Sequence, residues 1–146
     1  MAWGGSGWYG DTLVDALGAS QLGINLTLTT YKLALYDNTI TPDFMAADAV
    51  YSTTGEIVGT NYAAGGKVVT GTTLTVAGAY FVWDGDNVQW DSSTLTGVRG
   101  GIIYADPLSP KRSVIGIDWG SAYSTADGTL LVAWASQGIG RIHCLP

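Results

Sequence analysis

The chain has 146 residues, enough for one domain with a single core and too few for two. Only 12% of its residues are charged, summing to −6 from 12 acidic and 6 basic side chains, and Lys111-Arg112 is the one adjacent basic pair. That balance excludes an electrostatic footprint for nucleic acid or an anionic membrane surface. A single cysteine, Cys144, excludes an internal disulfide, and no apolar run nears the roughly 20 residues that span a bilayer.

In chain order, residues 1–10 carry four glycines with Trp3, Trp8 and Tyr9. This is too glycine-rich for a helix and has neither the basic start nor the apolar run of a signal peptide. The segment reads as an extended arm in front of one domain, 11–146. Three buried aromatics of roughly 150–250 Å² each gain roughly 11–19 kcal/mol at about 25 cal/mol/Å². Ordering ten residues costs on the order of 1–2 kcal/mol each. The arm is therefore expected to order only where its own body or a neighbouring subunit accepts all three rings.

Asp11 to Leu22 is the one helical candidate, with Asp11 as its cap, a narrow stripe of Leu13, Val14 and Leu17 that Leu22 can extend, and Gly23 as its stop. After Gly23 the period becomes two. Ile24, Leu26 and Leu28 read as one short strand, and Tyr31, Leu33 and Leu35 as a second on the opposite phase. Phe44 to Gly55 has no period and reads as an outer loop. Beyond Glu56, strands are predicted over Lys67–Val76, Ala79–Trp83, Asn87–Asp91, Val98–Tyr104, Ser113–Trp119, Thr129–Ala135 and Gly138–Cys144. Asp84-Gly85 and Asp127-Gly128 carry the strongest hairpin chemistry. Short strands about ten residues apart imply an all-β fold: an antiparallel β-sandwich or jelly-roll-like barrel with one short N-terminal helix.

The chemical inventory is thin. His143 is the only histidine and Glu56 the only glutamate, and no nucleophile elbow exists. His143 and Cys144 are adjacent on a strand and so face opposite ways, which does not suit one metal. Gly5-Ser6-Gly7-Trp8-Tyr9-Gly10 matches G-x-G-x-x-G but has no strand before it, so no dinucleotide cofactor is expected. Asp84-Gly85-Asp86-Asn87 is too short a run of oxygens for a calcium loop and reads as a turn. No metal, cofactor or catalytic residue is assigned. Trp83, Trp90, Trp119 and Trp134 fall in predicted strands, where packing is the simpler role; a sugar platform is the alternative.

Several blocks together resemble a family of small virion proteins from tailed bacteriophages. They are Thr30-Tyr-Lys-Leu-Ala-Leu-Tyr36, Glu56-Ile-Val-Gly-Thr-Asn-Tyr-Ala-Ala-Gly-Gly66, Val88-Gln-Trp-Asp-Ser-Ser-Thr-Leu-Thr96, Gly100-Gly-Ile-Ile-Tyr104 and Asp118-Trp-Gly120. The resemblance spans about residues 12–143, and the arm is no part of it. It implies a non-enzymatic particle component: a capsid decoration (cement) or minor capsid protein on the head exterior, or else a tail or fibre component. A carbohydrate-binding adhesin domain is a further alternative. Implied partners are the major capsid protein or other virion proteins and further copies of the chain, with a trimer expected. Contact surfaces are expected at Trp3, Trp8, Tyr9, Phe44, Met45 and Tyr51. Gly59, Gly65 and Gly66 are expected to shape turns.

Overall fold

The computed structural model describes residues 2–18 and 22–144. The protein is mostly β, with 49% of the described residues in strand and 6% in helix. Its elements are β1 (Gly7–Trp8), α1 (Gly10–Leu17), β2 (Tyr31–Tyr36), β3 (Lys67–Val69), β4 (Thr73–Ala77), β5 (Tyr80–Asp84), β6 (Val88–Ala105), β7 (Ser113–Val132) and β8 (Gly140–His143). They form two antiparallel sheets, β1-β7-β6-β2-β3 and β4-β5-β8, packed as the expected β-sandwich. Between the sheets, Tyr31, Leu33 and Leu35 of β2 meet Trp83, Trp90, Leu95, Val98, Ile103 and Val114. Ala34 and Tyr36 face the other way, into a second cluster with Ile102, Tyr104, Trp3 and Tyr9. The large sheet is therefore covered on both faces at its centre, which is why β2 reads as a near-continuous apolar run.

The segment expected to form an extended arm is folded onto the body. β1 pairs with β7 at Gly7↔Gly116 and Trp8↔Ile115. The Trp3 indole lies over Gly100 and donates from Nε1 to the Asp37 carbonyl at 3.0 Å. Trp8 packs against Trp83 with ring centres 5.7 Å apart, and Tyr9 meets Phe44 edge-on at 5.2 Å. The chain's own sandwich accepts all three rings.

Several expected elements differ from the observed ones. The helix ends at Leu17, and Tyr9, not Asp11, occupies its N-cap position. Asp11 lies in the first turn and its carboxylate turns to Arg112. Residues 19–21 of the expected helix lie outside the described residues. Ile24–Leu28 is a turn and not a strand. The Asn25 side chain accepts from the amides of Thr27 (3.0 Å) and Leu28 (3.1 Å), which offers that backbone an alternative to a ladder. Asn87–Asp91 and Val98–Tyr104 are one strand, β6, carried past Ser92 by a bulge in which Ser92 has φ +46°. Ser113–Trp119 and Thr129–Ala135 likewise join in β7, where Asp127-Gly128 forms a bulge and not a hairpin. Asp84-Gly85 is no hairpin either, since it passes the chain from the small sheet to the large one. The observed tight hairpin is Gly78-Ala79, closed by the pair Ala77↔Tyr80.

Candidate functional site

Four places on the surface gather side chains of chemical interest. The first surrounds the lone glutamate. The Glu56 backbone bridges to Tyr36 at the end of β2, and the next amide, Ile57, donates to the Leu35 carbonyl at 2.9 Å. The Glu56 carboxylate then collects three donors: the Tyr51 hydroxyl at 2.6 Å, the Tyr62 hydroxyl at 2.7 Å and the Gly65 amide at 2.6 Å. Tyr62 also accepts from the Leu35 amide at 2.9 Å, and Tyr104 donates to the Gly65 carbonyl at 2.8 Å. Burial, followed by the hydrogen bond to Glu56 and then its charge, raises the phenols of Tyr51 and Tyr62 above their ordinary range, against a smaller lowering of Tyr62 by the Leu35 amide. The hydroxyls therefore stay protonated and serve as donors. Every part of this cluster is already engaged in fastening the 51–66 segment to the sheet.

The second place lies between α1 and the start of β7. Asp11 and Asp15 sit one helical turn apart, and the Asp48 loop adds a third carboxylate, all within 4.8 Å of one another. That arrangement resembles a cation site, but a cation of the chain occupies it. The Arg112 guanidinium, whose side chain is 5% exposed, bonds Asp48 at 2.7 Å, Asp15 at 3.0 Å and Asp11 at 3.1 Å. An i, i+4 pair of aspartates on one helix face was visible in the sequence. Its partner, a hundred residues on, was not. Arg99 and Asp118 make a second, two-pronged pair at 2.8 and 3.2 Å, which draws the Asp118 carboxyl below its usual range.

The third place is a hollow of about 490 Å³ lined by Asn61, Tyr62, Lys67, Trp90 and Asp91. Trp90 is only 1% exposed, so it lends the hollow a wall and no platform on which a sugar ring could stack. The lone histidine, His143, packs on Tyr80 at 4.9 Å, with the Arg141 guanidinium over the same ring at 4.1 Å.

The fourth place is apolar. A groove of about 560 Å³ runs between α1 and the small sheet, lined mainly by Leu13, Leu17, Ile24, Leu74, Phe81 and Ile142. Leu17 is 82% exposed and Val76, on the adjoining strand, 79%. Among the described residues no charged side chain lines this groove.

Against this geometry the expected contact residues divide. Trp3 and Tyr9 are buried in the chain's own core and Trp8 is half-buried, so in this conformation they present little surface to a partner. The Phe44 ring fills the space over Gly7 and Gly116. Tyr51 stacks on Tyr104 at 4.6 Å. Met45 alone among them is fully outward. Gly66 has φ +75°, and a Cβ there would run into the Leu33 carbonyl; Gly65 has φ +91°. Gly59 lets the Thr94 backbone approach closely. No family model, curated protein or solved structure matches this chain.

Proposed function

We propose that the chain is a non-enzymatic structural subunit of a bacteriophage particle, bound to the exterior of the head as a decoration protein. The sequence blocks that resemble small virion proteins support this reading. The observation that carries it is the set of apolar side chains that α1 and β4 leave exposed, Val14, Leu17, Leu74 and Val76, on a chain with few charges to keep it solvated. Such a surface is favourable only where other protein covers it. Groups that catalysis would recruit have structural employment instead: Glu56 among tyrosines, three aspartates around Arg112, and His143 against Tyr80. A subunit of this kind works by mass action. Many copies bind the assembled lattice and not its free components, so each one shifts the balance toward the intact shell.

The test is to add purified chain to heads of the encoding phage that lack it. Saturable binding at a copy number set by the lattice, with a higher temperature of head disruption, is expected. Particles that carry the chain only in the tail, or not at all, overturn the head assignment.

A further inference from the structure

We infer that two copies of this chain pair edge to edge through β4, Thr73–Ala77, joining their small sheets into one six-stranded sheet across a two-fold axis. The inference rests on the strand edges, not on the virion reading, and concerns the purified chain by itself.

An open strand edge is a template for another strand, and folded proteins blunt such edges with short length, charge, proline or bulges. Among the described residues, the other outermost strands and the free part of β7 carry such a device. β1 is two residues long, and β3 is three residues long and begins with Lys67. β7 extends beyond its pairing with β1 but is bulged around Gly120 and Asp127, both at positive φ. β8 carries Arg141 and His143. β4 has none of these. It runs Thr-Leu-Thr-Val-Ala in unbroken register with β5, all five residues are exposed, and it lies on the outside of its sheet. It also sits within Val68–Trp83, sixteen residues without a charge. A stretch of high β propensity without charge or proline adds readily to another strand.

The geometry of this edge is self-complementary and so suits a second copy as the occupant. Gly78-Ala79 is a two-residue turn, so its closing pair Ala77↔Tyr80 is hydrogen-bonded, as are the alternate pairs Thr75↔Val82 and Thr73↔Asp84. The N–H and C=O groups of Leu74 and Val76 therefore point out from the free edge. Among the described residues nothing meets them. An antiparallel copy centred on Thr75 places Leu74 of one chain opposite Val76 of the other, in the hydrogen-bonded relation those outward groups require, twice over. Thr75 meets its own counterpart, and Thr73 meets Ala77. Apolar side chains thus face apolar ones and no like charges are opposed. Leu74 and Val76 share a face with Phe81 and Trp83. The partner's Leu74 and Val76 would extend that apolar face, beside the groove lined by Leu13, Leu17 and Ile142.

The experiment measures the mass of the full chain by sedimentation at micromolar concentration, with four variants in a Cys144→Ser background. The parent is expected to be a dimer. Val76→Lys puts a charge on an already exposed side chain, and Val76→Pro removes an outward N–H while leaving the hairpin's own bonds intact; both are expected to sediment as monomers. Thr75→Cys is expected to form an intermolecular disulfide under mild oxidation, because non-hydrogen-bonded antiparallel partners lie about 4.5 Å apart at Cα, within disulfide reach. Thr73→Cys, opposite Ala77, is the control expected to stay uncrosslinked. A monomeric parent, a trimer, or a dimer that survives both Val76 variants overturns the inference. So does cross-linking at Thr73 as efficient as at Thr75.

Discussion

Replacing Trp3 with alanine probes how the N-terminal segment is held. The side chain is 5% exposed, so nearly all of its roughly 250 Å² is lost to water, and at about 25 cal/mol/Å² that is worth about 6 kcal/mol. A compact unfolded chain already hides roughly 10–40% of such area, which leaves about 4–5 kcal/mol. The hydrogen bond from Nε1 to the Asp37 carbonyl adds about 1 kcal/mol. The segment's freedom works in the opposite direction. Apart from Trp3, residues 2–6 are tied by the Ala2 amide to the Thr41 hydroxyl at 3.1 Å and by the Ser6 hydroxyl accepting from the Asp118 amide at 2.8 Å. Without the indole these residues can detach and recover about 1–2 kcal/mol of entropy each, which limits the loss. We expect Trp3→Ala to lower stability by about 3–4 kcal/mol, in the range of aromatic truncations in cores. Trp3→Phe, which keeps most of the area, should cost about half as much. Urea unfolding measures both, and amide exchange over residues 2–9 should show protection lost in the alanine variant. An alanine variant within about 0.5 kcal/mol of the parent, with the segment still protected, refutes the assignment of Trp3 as the anchor.

Three further outcomes are expected. Gly66→Ala should destabilise by at least about 2 kcal/mol in urea unfolding, because φ +75° is strained for alanine and its Cβ runs into the Leu33 carbonyl. Arg112→Leu leaves three aspartates facing one another; since they are partly solvated the cost should be about 1–3 kcal/mol in urea unfolding, below that of breaking a fully buried pair. Stability should also fall on the alkaline side: burial pushes Tyr9, Tyr31 and Tyr104 up to about 12 and raises Tyr36, Tyr51 and Tyr62 as well. Unfolded tyrosines ionise near 10, so above about pH 10 the native state binds more protons and the unfolded state gains. This contribution is complete below that pH and is lost as pH rises through the folded values. A urea midpoint unchanged up to about pH 12 contradicts it.

How far the fold was legible depended on whether its signals were local. The alternation of Tyr31, Leu33 and Leu35 is a local pattern, and it marks β2 because one face of that strand meets the small sheet. Ser92-Ser93 and Asp127-Gly128 carry turn chemistry too, yet they kink β6 and β7 without reversing them. Whether a kink becomes a hairpin depends on the partner strand. Here the Ser93 hydroxyl, bonded to the Trp90 and Gly128 carbonyls at 3.1 and 3.0 Å, holds the two long strands together across the bulge. Composition alone bounded the energy available to Trp3, Trp8 and Tyr9. What receives them is set by distant glycines, since Gly100 and Gly116 leave bare backbone on which the Trp3 and Phe44 rings can lie.

The same distinction applies to the apolar surface. A sixteen-residue uncharged run is visible in the sequence, but an interior strand and an edge strand read alike when both are Thr-Leu-Thr-Val. Only the sheet order β4-β5-β8 puts this run at a margin, and only the two-residue turn at Gly78-Ala79 fixes which of its backbone groups face outward. Chain reversal at that turn therefore converts a hydrophobic segment into a directional surface. Its hydrogen-bond parity, centred on Thr75, admits an antiparallel copy and rejects a copy shifted by one residue, because that shift would set outward-facing groups against inward-facing ones.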